Sequence, residues 1–117
     1  MARRSQQTVT AADACIPKAD LLARAFKFLG KRWSAVVLGH LSEGPMGFRD
    51  LSRALGISPS MLSDRLSELS DAGLIQRTVH EGPPLAVHYE LTDRGRALMP
   101  ALEQITLWAG EHLPADA

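Results

Sequence analysis

Few residues in this chain have side chains suited to covalent or metal chemistry. They are one cysteine, Cys15, and four histidines, His40, His80, His88 and His112. Their spacing fits no metal site, because there is neither a paired-cysteine motif nor an HExxH. No serine elbow, glycine-rich phosphate loop or convincing acid pair occurs either. The sequence therefore predicts no catalytic residue, no metal ligand and no cofactor, and reads as a non-enzyme. Cys15 stands just before Ile16-Pro17-Lys18. A thiol close to a helix N-terminus and a lysine can ionise readily and react with oxidants or electrophiles. From the chemistry alone, an inert, partly covered thiol is the better reading. As the only cysteine it cannot form an internal disulfide, which fits a cytoplasmic location.

The denser chemistry is of another kind. Ser58, Ser60, Met61, Ser63, Asp64 and Arg65 fall within eight residues. Serine hydroxyls can donate to phosphates or base edges, and an arginine can reach phosphate or guanine. The competing reading is a solvated serine-rich face with Arg65 paired to Asp64, Glu68 or another acid. Arg49, Lys31 and Arg32 are further candidates for phosphate contacts by position. Arg77, His80 and His88 could lie over phosphate or a minor groove, or simply decorate a surface hairpin on which the two histidines face each other.

These residues need elements to hold them. Asp20 can cap a helix running to about Gly30, with Leu21, Leu22, Ala25, Phe28 and Leu29 at helical spacing. Trp33 to Glu43 reads as a second helix, stopped by Gly44 and Pro45. Phe48 to Leu55 is a short third helix ended by Gly56. Ser58 as N-cap and Pro59 at the first helical position open a fourth, to about Ala72, with Leu62, Leu66 and Leu69 as its apolar stripe. Leu74 to His80, with Leu74, Ile75 and Val79 apolar, reads as a strand, and Ala86 to Leu91 as a second that alternates Val87, Tyr89 and Leu91 against His88 and Glu90, around the turn Glu81-Gly82-Pro83-Pro84. Thr92 caps a last helix, roughly Asp93 to His112, which Pro100 should kink.

The expected fold is thus mainly α with a small β-hairpin, a winged helix-turn-helix. Residues 1–14 read as a flexible arm, 15–113 as the winged domain with dimerisation helices, and 114–117 as a tail. The first and last helices carry more apolar surface than so small a core can cover. Leu21, Phe28, Leu98, Leu102, Ile105 and Trp108 are the expected homodimer contacts, each counted twice by two-fold symmetry.

Length and composition agree with this. The chain has 117 residues, enough for one ordinary domain, and 45% of them are hydrophobic. No apolar run reaches the roughly 20 residues of a membrane span, and no secretory signal opens the chain. The 13 basic and 13 acidic residues balance, but unevenly: residues 1–58 hold nine basic and four acidic, 59–117 the reverse. A basic face formed mainly by the first half could still attract phosphate.

An ordered set of segments resembles the HxlR-type winged-helix transcriptional regulators, from Cys15 to Trp108. It comprises Gly30-Lys31-Arg32-Trp33, Phe48-Arg49-Asp50-Leu51, Gly56-Ile57-Ser58, Leu62-Ser63-Asp64-Arg65-Leu66 and Leu69 through Leu74. Tyr89-Glu90-Leu91-Thr92, Gly95, Leu98, Pro100 and Trp108 complete it. The resemblance implies a dimeric bacterial repressor or activator that pairs through its first and last helices. It also implies two recognition helices in successive major grooves of an inverted-repeat operator. Several such regulators sense electrophiles or oxidants through a cysteine near the N-terminus, which Cys15 would match. Two other readings remain: a winged helix that binds a protein, and a small-molecule sensor without redox chemistry. Salt separates the first from DNA binding, which weakens steeply as salt rises.

Overall fold

The computed structural model describes residues 17–115. The expected arm at 1–14 and Cys15 lie outside them. The described residues fall into two units, 17–31 and 32–115.

In the first unit, helix α1 spans Lys18–Leu29 and buries none of its residues. It begins two residues before Asp20. The Pro17 carbonyl accepts from the N–H groups of Asp20 and Leu21, so Pro17 occupies the cap position. Asp20 lies in the first turn instead, where a carboxylate favours the positive end of the helix dipole.

The second unit runs α2 (Ser34–Leu41), α3 (Phe48–Leu55), α4 (Pro59–Asp71), β1 (Ile75–His80), β2 (Ala86–Leu91) and α5 (Asp93–His112). The strands are antiparallel, with Ile75 opposite Leu91 and His80 opposite Ala86. Met46 bridges Tyr89 as a stub of a third strand. Val37, Leu38 and Leu41 of α2, Leu51 of α3, and Leu62, Leu66 and Leu69 of α4 form the core with Leu74, Ile75 and Leu91. The helical members recur at helical spacing, and Ile75 and Leu91 face each other across the strands, whereas Leu74 is buried just before β1 begins. Each aliphatic side chain so buried contributes roughly 1.5–3 kcal/mol, and this holds the amphipathic α4 in place.

Three boundaries differ from the sequence reading. Trp33 does not join α2 but precedes it in the left-handed conformation, φ 81°. The Arg32 guanidinium lies 5.2 Å from the centroid of the Trp33 ring. At its other end α2 stops at Leu41, because residues 42–44 turn away and the Ser42 hydroxyl donates to the Gly39 carbonyl at 2.6 Å. The first strand begins at Ile75 rather than Leu74. The Leu74 backbone is committed elsewhere, its N–H to Leu69 and its carbonyl to the N–H of Thr92.

That last bond ties the hairpin to α5. Thr92 donates through its hydroxyl to the Gly73 carbonyl and caps α5 by accepting from the Gly95 N–H. Gly95 is pressed against Leu74, and any Cβ there would collide with the Leu74 carbonyl oxygen. The α5 helix runs on through Pro100 to His112.

Candidate nucleic-acid interface

The joint between α3 and α4 is fixed at every residue. Gly56 takes φ 67°, a left-handed conformation that glycine adopts without penalty, and its N–H closes α3 onto the Ser52 carbonyl. The Ser52 hydroxyl reaches forward to the Ile57 carbonyl at 2.9 Å. Ser58 then caps α4 by accepting from the Met61 N–H at 3.1 Å, with Pro59 in the first turn. The result is a helix-turn-helix whose second helix starts at a capped N-terminus.

Along α4 the faces separate cleanly. Leu62, Leu66 and Leu69 are buried, whereas Ser60, Met61, Ser63, Asp64 and Ser67 are exposed. Arg65 behaves differently from its sequence neighbours. Its side chain is only 13% exposed, and its guanidinium lies 3.5 Å from a Glu68 carboxylate oxygen. It lies on the inner flank of the helix, paired to an acid within α4.

The hairpin folds back beside α4. A cleft of about 210 Å³ separates them, lined by Phe48 of α3, by Ser63, Ser67, Ser70 and Asp71 of α4, and by Arg77 and Tyr89 of the strands. Arg77 and Tyr89 are cross-strand partners on the face that Ile75 and Leu91 continue into the core. His80 and His88 meet on the opposite face, edge to face, with ring centroids 4.9 Å apart. Of the remaining candidates, Arg49 is exposed on α3, and Lys31 and Arg32 are exposed in the segment following α1. Sequence reasoning missed the cleft as a unit: Ser67, Ser70 and Tyr89 come together only because the strands return across α4, and no spacing encodes that.

The dimer candidates are distributed unevenly. On α5, Ile105 and Trp108 are exposed and Leu98 and Leu102 half-buried. Leu107 and Leu113, exposed beside them, were absent from the expected set. On α1, Leu21 is exposed and Phe28 half-buried, and Leu22 and Phe26 add further exposed apolar surface. Among the described residues no group of three or more His, Cys, Asp or Glu is placed to hold a metal ion. No described helix is long and apolar enough to cross a membrane.

This arrangement of helix, turn, capped helix and hairpin matches known proteins in sequence as well as shape. The family model for the HxlR-like helix-turn-helix matches residues 28–117. This chain belongs to the HxlR-like helix-turn-helix family. Among its relatives, the uncharacterised HTH-type transcriptional regulator YvaP of Bacillus subtilis (strain 168) is 39% identical over 89 residues, 75% of this chain and 82% of YvaP. The HTH-type transcriptional regulator YodB of the same organism is 35% identical over 88 residues, 74% of this chain and 79% of YodB. The reduced form of YodB superimposes with a TM-score of 0.73 over 84% of this chain and 94% of that one, at 33% identity. The redox regulator HypR, in its oxidised form, gives 0.75 over 81% and 99%, at 27% identity. The fold is a winged helix-turn-helix, as the sequence reading expected, with α4 in the place of the recognition helix and the hairpin as wing.

Proposed function

We propose that this chain regulates transcription by binding an inverted-repeat operator as a homodimer, with α4 of each copy in a major groove and the β1–β2 hairpin as its wing. The observation that carries this reading is α4 itself. It is capped, anchored by three buried leucines, and presents small polar side chains outward with Arg77 across the cleft. A bare polar helix next to a cation suits a groove between two phosphate backbones. Residues 15–113 act as the functional domain. Ser58, Ser60, Met61, Ser63 and Asp64 face base edges or the adjoining phosphates, and Arg49, Arg77, Lys31 and Arg32 supply phosphate contacts, with His80 and His88 on the wing. Leu21, Phe28, Leu98, Leu102, Ile105 and Trp108 form the dimer contacts. Such a protein works beside the chromosome, in the cytoplasm.

YodB has been solved reduced and diamide-treated, and HypR oxidised and reduced, which supports a thiol signal through Cys15. As the chain's one cysteine, it would respond through its partner copy. Two Cys15 thiols would be oxidised to one disulfide while diamide is reduced to its hydrazine, provided the two Cα atoms come within about 7 Å. A second reading, a small-molecule inducer, is favoured by a groove of about 720 Å³ bordered by Leu41, Pro45, Leu91, Met99 and Leu102. That volume is in the range of ligand sites.

The test is selection of the full chain against a random duplex library. Enrichment of two inverted half-sites, centres about 34 Å or a multiple apart, is the expected outcome. A library that stays random after repeated rounds refutes the reading.

A further inference from the structure

The helix offered to the groove has an unusual charge. Within Pro59–Asp71 there is one cation, Arg65, against the carboxylates Asp64, Glu68 and Asp71. The cation is turned inward, its guanidinium beside Glu68 and its side chain nine parts in ten covered or nearly so, at 13% exposure. The usual specific contact, arginine to guanine, is therefore not available from this helix as it stands. Asp64 is the opposite case. It is exposed, and its side chain forms no ion pair or hydrogen bond among the described residues. At about 100° per residue it projects roughly 160° away from Leu62, the centre of the buried stripe. It also lies in the second turn from a capped N-terminus, the part of a recognition helix that reaches base edges.

A carboxylate between two rows of phosphates raises the energy of the complex unless it meets a donor. The major groove offers two donors, the exocyclic amines of cytosine and adenine. Adenine's amine is flanked by its own N7 and the paired thymine's O4, both of which repel a carboxylate, whereas cytosine's amine has an acceptor, the paired guanine's O6, on one side only. From this we infer that Asp64 is the principal base-reading residue of α4 and accepts a hydrogen bond from the N4 amine of a cytosine in each half-site. The inference rests on the proposed DNA binding. Arg65 becomes a positioning residue that braces α4 from inside, and the flanking Ser60, Ser63 and Ser67 leave room for the close approach a short aspartate needs. The phosphates are met from the sides, by Arg49 on α3 and Arg77 on the hairpin.

The experiment compares the full chain with D64N and D64A on the selected duplex, replacing each base pair of a half-site in turn. The native chain prefers cytosine at one position by roughly 5- to 150-fold, the range of a good base contact. Asparagine is matched to adenine N6 and N7, so D64N moves the preference at that position from cytosine to adenine. D64A loses discrimination there alone and, freed of a negative charge, binds non-specific duplex more tightly than the native chain. If both variants bind every duplex more tightly by one common factor and keep the native base preferences, Asp64 is a solvated charge and the inference is overturned. If the native chain binds no duplex at all, the DNA-binding reading falls first, and the inference with it.

Discussion

The guanidinium of Arg65 lies 3.5 Å from the carboxylate of Glu68, one turn along the same helix, and the arginine is largely covered. A partly buried pair of this kind is a poor source of net stability, but removing Arg65 takes a cation and its covering side chain away from a half-covered carboxylate. Arg65→Ala is expected to destabilise the free protein by roughly 1–2 kcal/mol, less than for a fully buried pair because water still reaches Glu68. Urea unfolding should show a lower midpoint at unchanged slope. A variant as stable as the native chain that has lost its preference for one base would instead make Arg65 the reading residue.

The closeness of Gly95 to the Leu74 carbonyl leaves no room for a side chain. Gly95→Ala must push α5 away from the hairpin or break the Thr92 cap, at a cost of about 1–3 kcal/mol. Thermal unfolding measures it, and an unchanged midpoint would mean that the helix and hairpin adjust freely.

Much of this fold was legible in the sequence because its local signals agree with one another. Ser58 and Pro59 announce the start of α4, Gly56 the end of α3, and the Leu62, Leu66 and Leu69 stripe the buried face, and all are where the spacing put them. Trp33 could not be read that way. A tryptophan at helical spacing from Val37 and Leu41 looks like part of their face, and only the path of the chain into α2 places it in the left-handed region. The orientation of Arg65 stayed open for a related reason. One residue beyond Asp64 on a helix is about 100° of rotation, enough to carry a side chain from open solvent to the covered flank, and the sequence left open both an outward arginine and one paired to Glu68. The cleft between α4 and the hairpin depends on the strands folding back, which no local pattern records.

The Ser58 cap is a separable contribution. Ser58→Ala should cost about 1 kcal/mol, whereas Ser58→Gly should cost only a few tenths. Since the cap also fixes the first turn of the helix proposed to meet DNA, the alanine variant should lose affinity even under conditions where it is fully folded. Equal stability of the two variants in a denaturant series would contradict the capping role.

Arg49 and Arg77 should behave as phosphate contacts. Replacing either with alanine is expected to weaken binding to all duplexes alike and to lower the salt slope by about one. A loss confined to particular base pairs would assign that arginine to base readout instead.

The exposed Ile105 and Trp108 on α5 make the oligomeric state testable. Light scattering at micromolar concentration should give the mass of two chains, and Ile105→Glu should shift it toward one. A monomer mass for the native chain would contradict the pairing.

The most direct measurement is the affinity of the full chain for the selected duplex, and for a scrambled one, over a series of salt concentrations. The logarithm of the association constant should fall linearly with the logarithm of salt, as phosphate contacts release counterions. The selected duplex should stay at least about a thousandfold tighter than the scrambled one at physiological salt. Equal affinity for both duplexes, or binding indifferent to salt, would contradict sequence-specific recognition of DNA by this protein.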